Sequence, residues 1–229
     1  MTEPSDAGSA TTVDRPASLS RQAYSAIREG IIRGEYPQGS RLAEARIAAE
    51  LEMSRVPLRE AVPQLEQEGF VRTFPRRGAV VTVWDEKAVN DLFDLRLYLE
   101  VGAARFAARE VSRGGDSGPL DEALHYSQNV VHSGDAYRVA EASTWYHEAI
   151  VDLSGNDLMK QVMRSVTGRV LWLFYLTSQL DVDEAFDDHV ALAEAIRSGN
   201  ERVAESIAYT HIERDRIPSF TALRAAGAR

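Results

Sequence analysis

Ser54-Arg-Val-Pro-Leu-Arg-Glu-Ala-Val62, followed by Gln64-Leu-Glu-Gln-Glu-Gly-Phe-Val71 and Pro75-Arg-Arg-Gly78, decides how this chain folds. Ser54 is a good helix cap, and Pro57 is tolerated in a first turn, where no intrahelical N–H bond is lost. Leu58, Ala61, Val62 and Leu65 make one helical face, and Gly69 ends the helix. Segments 71–74 and 79–83 are strand-like and joined by the basic tip Pro75-Arg-Arg-Gly78. Arginines on the leading turn of a helix reach base edges in a major groove, and a basic glycine-tipped ribbon can lie on a phosphate backbone. The spacing puts DNA binding ahead of any enzyme.

Working outward, Leu19, Ala23, Ile27 and Ile31 recur at helical spacing up to Gly34, and Pro37 and Gly39 mark a turn. A second helix is expected at about 44–51, buried through Ile47, Ala48 and Leu51. Three helices and a hairpin make a winged helix-turn-helix over 18–84. Residues 1–17 lack apolar periodicity and read as a disordered tail. After Trp84, amphipathic stretches at about 86–111, 120–133, 136–153, 158–180, 183–198 and 201–217 predict a six-helix bundle. Its central helix is expected to carry the apolar run Val170-Leu-Trp-Leu-Phe-Tyr-Leu176. The fold class is therefore mainly α, with an all-α domain over 85–217 and a flexible tail at 218–229.

The net charge of −9 argues against nucleic acid until it is divided along the chain. Residues 18–84 carry ten arginines, no lysine and eight acids, whereas 85–229 carry a net −9. With an excess of only +2 in the reading part, specific contacts must do more than bulk attraction. The absence of cysteine excludes disulfides and thiolate metal sites and suits a reducing cytoplasm. No apolar run approaches the ~18 residues a membrane helix needs, and the first ten residues lack the features of a secretion signal.

At this point the chain resembles GntR-type transcription regulators of the FadR subfamily, with an FCD effector-binding domain. The matching residues are Leu42-Ala-Glu44, Ser54-Arg55, Pro57, Arg59-Glu-Ala61, Leu65-Glu66, Glu68-Gly69 and Arg77-Gly78. In the second half they are Leu95-Arg96, Leu99-Glu100, Tyr146-His147, Gly155-Asn156, His189, Ala195-Ile196 and His211. The resemblance implies a homodimer on a palindromic operator, with Arg55 and Arg59 on bases or phosphates and Gly78 near the minor groove. Ser54, Arg46 and Arg77 complete the expected DNA face. Read without that context, Arg55 and Arg59 are solvated surface charges. Three departures bear on this face. Ala45 with Arg46 stands where the family has a polar residue directly after Glu44, Glu52 replaces a turn glycine, and Pro63 interrupts the recognition helix and predicts a kink.

The resemblance also selects His147, His189 and His211, on three different helices, as ligands for Zn²⁺ or Ni²⁺. Ser143 stands where related proteins place an aspartate, so a fourth protein ligand is missing. Three readings stay open: a metal completed by water and the effector's carboxylate, a metal-free pocket binding an acid by hydrogen bonds, and three satisfied core histidines. Ser143 and Arg96 are candidate effector contacts, though Arg96 equally suits an ion pair with Glu100 or Asp94. The aromatic stripe of Trp145, Trp172, Phe174 and Tyr175 reads as core. The function expected is a ligand-responsive regulator, more often a repressor, released by a small organic acid such as lactate, gluconate or citrate. The competing classes are a three-histidine metalloenzyme and a winged-helix module for protein contacts.

Overall fold

Ser18 opens the first helix by accepting a hydrogen bond from the Arg21 amide, and α1 (Leu19–Ile32) buries Ala23, Ile27 and Ile31 on one face. The computed structural model describes residues 18–178 and 182–227; the expected tail at 1–17 lies outside the described residues. α3 (Arg55–Gln67) packs on both α1 and α2 (Glu44–Glu50), inserting Leu58, Ala61 and Leu65. Glu52, in the turn between α2 and α3, holds φ at 51°, a left-handed conformation that a side chain makes costly. The sequence position that suggested a glycine there does need one conformationally. α3 runs unbroken through Pro63.

The hairpin pairs β1 (Val71–Phe74) antiparallel with β2 (Gly78–Val81), Val71 opposite Val81 and Phe74 opposite Gly78. At its tip Arg76 and Gly78 both have positive φ, 64° and 73°. The sequence reading missed a third segment: Arg41 bridges Val80, and the Leu42 amide donates to the Ala79 carbonyl at 2.9 Å. This bridge ties the wing to the start of α2.

Among the described residues the second half is six helices: α4 (Glu86–Ser112), α5 (Gly118–Val130), α6 (Ala136–Leu153), α7 (Asp157–Thr177), α8 (Val182–Arg197) and α9 (Glu201–Gly227). α4 packs along α9, and α6 sits between α5 and α7. The expected flexible tail at 218–229 is overturned as far as it is described, because α9 continues through Pro218 to Gly227. Tertiary contact outweighs the lost amide bond there. Leu223 is buried, Phe220 packs on the core, and Arg224 pairs with Glu86 at the start of α4 at 2.7 Å.

The winged helix rests on the bundle through three rings. Phe70, between α3 and β1, stacks on Trp172 of α7 at 5.7 Å, and Trp84 meets the same indole edge-on at 5.5 Å. The expectation of Trp172 as core is met, in a core both halves share. Gly168, one turn earlier on α7, makes room for this: a Cβ there would run into Cε2 of the buried Phe70 ring. Glycine inside a helix costs about 1 kcal/mol relative to alanine, so Gly168→Ala at an open site would stabilise. Here the change should instead destabilise by about 1–3 kcal/mol through overpacking. A thermal melt decides, and an unchanged or raised midpoint would contradict this packing.

Candidate functional site

Two sites emerge, one on each half. On the winged helix, the first turn of α3, the start of α2 and the wing converge on a notch lined by Arg41, Glu44, Arg55, Arg59 and Gly78. Glu44 Oε2 accepts from Arg59 Nε at 2.9 Å and from Arg55 Nη2 at 3.4 Å. Both arginine side chains remain more than half exposed, 55% for Arg55 and 61% for Arg59. A single carboxylate thus fixes where two guanidinium groups point while leaving their outer donors free. Arg46 faces away toward Glu50 (3.2 Å) and lies over the Tyr36 ring, whereas Ser54 is exposed and its hydroxyl caps no amide. Arg77 is exposed on the wing. Sequence reasoning missed Arg41 and the holding role of Glu44. The bridge that brings Arg41 to within 3.7 Å of the Gly78 Cβ position is made 39 residues away in sequence, beyond any local pattern.

In the bundle, α6, α8 and α9 bring His147, His189 and His211 together, each at most 4% exposed. One nitrogen from each lies within 4.8 Å of the others. Glu100 of α4 accepts from His147 Nδ1 at 2.7 Å, and Asp188 stands 3.4 Å from His211 Nδ1. With a carboxylate at each Nδ1 the ring hydrogens are best placed there, which leaves two Nε2 lone pairs facing each other across 3.4 Å beside the cavity. Such an arrangement calls for a cation or proton between them. Two Zn–N bonds of about 2.0–2.1 Å at the tetrahedral angle would span close to that separation, so the donor set fits a late divalent ion. Carboxylates behind metal-binding imidazoles orient the rings and raise their basicity.

His189 has a different support. Its ring stacks on Tyr146 at 4.3 Å, while the Tyr146 hydroxyl donates to the His189 carbonyl at 2.7 Å. Among the described residues no carboxylate joins the three imidazoles. Ser143, one turn before His147 on α6, is half-buried on the wall of a cavity that the three histidines also line. Arg96 is 1% exposed and grips Glu100 at 2.7 and 3.3 Å, the ion pair the sequence allowed. It is not among the cavity's lining residues, and its Nη1 has no partner. Burial alone would raise Glu100, but Arg96 and His147 beside it outweigh burial and hold it well below the carboxylate range. Phe174, expected in the core, is also part of the cavity wall. His125 and His132 lie at the surface.

Comparison with known proteins follows the same division. Residues 19–81 match the bacterial regulatory proteins of the gntR family, and residues 91–214 match the FCD domain. An uncharacterised HTH-type transcriptional regulator of Bacillus subtilis, YdhC, is 24% identical over 206 residues, covering 89% of this chain and 92% of that protein. A probable D-xylose utilization operon transcriptional repressor of Paenarthrobacter nicotinovorans is 26% identical over 183 residues, covering 80% of each. The crystal structure of a putative GntR transcriptional regulator from Rhodococcus sp. RHA1 superposes with a TM-score of 0.74 at 23% identity, covering 90% of this chain and 99% of that one.

The buried imidazoles make stability depend on pH. Burial lowers His147, against the pull of Glu100, and lowers His189 further, helped by the other two imidazoles. The unfolded chain therefore binds more protons than the folded one through the imidazole range. Stability from these residues is complete above that range and is lost as pH falls through it toward the depressed values. Melts of ion-free protein should shift down between about pH 7.5 and about pH 5.5, and less so in His189→Asn. An equal shift in both proteins would contradict the assignment.

Proposed function

The chain belongs to the GntR family of bacterial regulatory proteins with an FCD domain, a DNA-binding transcriptional regulator, and on that premise we propose that it acts as a homodimeric repressor released by a small organic acid. The observation that carries the DNA part is the Glu44 clamp, which presents Arg55 and Arg59 side by side at the leading turn of α3. Two protomers related by a two-fold axis would set two such turns against half-sites of a palindrome. Arg77 and Gly78 on the wing, with Arg41 behind them, suit the neighbouring phosphates and minor groove. Ser54 has its hydroxyl free for a phosphate, and Arg46 adds charge beside α2. Exposed Tyr98 on α4 and Leu158 and Val162 on α7 offer apolar surface for the partner protomer. No helix of the described residues is long and apolar enough to cross a membrane, in keeping with work on DNA in the cytoplasm.

The metal reading rests on the donor set already described. His147, His189 and His211 would hold Zn²⁺ or Ni²⁺, and the ion would supply a Lewis-acidic point for an effector carboxylate. Glu100 and Asp188 orient two of the rings, Arg96 holds Glu100, and Ser143 leaves its side of the cavity free of negative charge. Membership in a regulator family sets the metalloenzyme reading aside.

Signal transfer has a short route. α6 carries Ser143 and His147, and its first turns touch α1 of the winged helix. Arg28 donates to the Tyr137 hydroxyl at 3.3 Å and pairs with Glu141 at 3.6 Å, and Arg33 reaches Asp135 at 3.5 Å. From Glu141 to His147 is about 9 Å along a helix. A ligand that moves α6 therefore moves what the reading head rests on.

Gel shifts with DNA upstream of the protein's own gene and its neighbours test the DNA reading. Arg59→Ala should weaken binding to the preferred fragment by roughly 5- to 150-fold, the cost of about 1–3 kcal/mol for a bidentate base contact. Failure of the unaltered protein to bind any fragment would favour a protein-contact module instead.

A further inference from the structure

We infer that the effector is a short monocarboxylate with an apolar body, a branched aliphatic or single-ring acid, rather than a hydroxylated or multiply charged acid. This rests on the reading of the three-histidine cavity as the effector site, and goes beyond it by naming the chemistry of the part that does not touch the histidines.

The cavity is two-sided. Its polar end is the imidazole cluster with Ser143, where a carboxylate finds its partners. The remaining wall is largely hydrocarbon, with Val130, Val139, Ala142, Val182, Phe174 and Phe186 its main contributors. Three hydroxyls on that wall are already committed to carbonyls of their own helices. Ser127 donates to Ala123 at 3.0 Å, Thr177 to Leu173 at 3.2 Å and Ser178 to Tyr175 at 2.7 Å. A polyol chain laid along this wall would meet no free donor for its oxygens, and its only acceptors would be the spare lone pairs of these hydroxyls and Asp215; hydroxyls set against the Val and Phe side chains would be buried without a partner, which weakens binding roughly tenfold or more each. Among the described residues Asp215, one turn after His211 on α9, is the one acidic side chain on the lining, so added negative charge on the ligand would face like charge.

Size points the same way. The cavity encloses about 80 Å³. That is room for on the order of half a dozen water-sized positions, so a long chain would have to run out through the cavity's open side. Apolar burial then supplies the affinity that the missing hydrogen bonds cannot, at roughly a fourfold gain per buried methylene.

Isothermal titration of the full chain, with and without saturating Zn²⁺, against isovalerate, benzoate, glycerate, gluconate and citrate tests this directly. Isovalerate and glycerate are matched in size, so their comparison isolates the polarity of the body. Isovalerate or benzoate should bind at least tenfold tighter than glycerate, gluconate or citrate, and isoamyl alcohol, lacking the carboxylate, at least tenfold weaker than isovalerate. Val139→Asn, checked for an unchanged melting profile, should narrow the gap between isovalerate and glycerate; the wild-type series stands without it. Tighter binding of the hydroxylated or multiply charged acids would overturn the inference while leaving the cavity as effector site. Binding of none of the acids by a protein that still shifts operator DNA would overturn both, and isoamyl alcohol matching isovalerate would overturn the carboxylate head.

Discussion

Two helices of the bundle each do two things, and that constraint governs the rest of the molecule. α7 presents Trp172 to Phe70 and Trp84 on one face and Phe174 to the cavity on another. α6 holds Arg28 and Arg33 of the winged helix at its start and His147 further along. The winged helix and the proposed effector cavity therefore share walls rather than communicating through a linker. Packed interiors shift between discrete arrangements more readily than they deform, so a ligand that changes the spacing of α6 and α7 is felt at α1 and Phe70. Gly168 is the local sign of this sharing, a helix interior left bare so that a ring from the other half fits against it.

Electrostatics divides the labour between the halves. The bundle is strongly acidic, and attraction to DNA cannot come from the chain as a whole. On the proposed reading it comes from a few guanidinium groups whose directions are set beforehand. Glu44 spends part of the positive charge of Arg55 and Arg59 to fix their geometry, which favours discrimination between sequences over bulk affinity. In the bundle the same logic runs in a buried setting. Arg96, Glu100 and His147 form a buried chain in which each group is held by the next, and its end is an imidazole nitrogen turned toward two others. Replacing a member of such a chain leaves a neighbour's charge buried and unpaired, which is far more costly than the loss of a surface pair.

What the sequence showed, and what it hid, follows range of interaction. The α3 face of Leu58, Ala61 and Leu65 and the Pro75–Gly78 tip are local patterns, and each formed where its period put it; α3 starts after Ser54 as expected, although the Ser54 hydroxyl caps no amide. The three histidines were legible only through the family resemblance, since nothing in their own helices marks them. Arg41 beside the wing, Glu100 behind His147 and Phe174 in the cavity wall depend on pairings across tens of residues that no periodicity encodes. Pro218 was misjudged for the same reason. A proline read locally stops a helix, whereas Phe220, Leu223 and the Arg224–Glu86 pair keep α9 going. The left-handed turn at Glu52 was the reverse case, a local departure that foretold a real strain.

The shared walls of α6 and α7 imply a reciprocal coupling between cavity and operator. Its most direct measure is operator affinity at one fixed salt concentration, with and without Zn²⁺ and the tightest-binding carboxylate. The account predicts that ligand weakens operator binding by about 5- to 150-fold, and that saturating operator weakens carboxylate binding by the same factor. Equal operator affinities in the two conditions, with the carboxylate demonstrably bound, would contradict it.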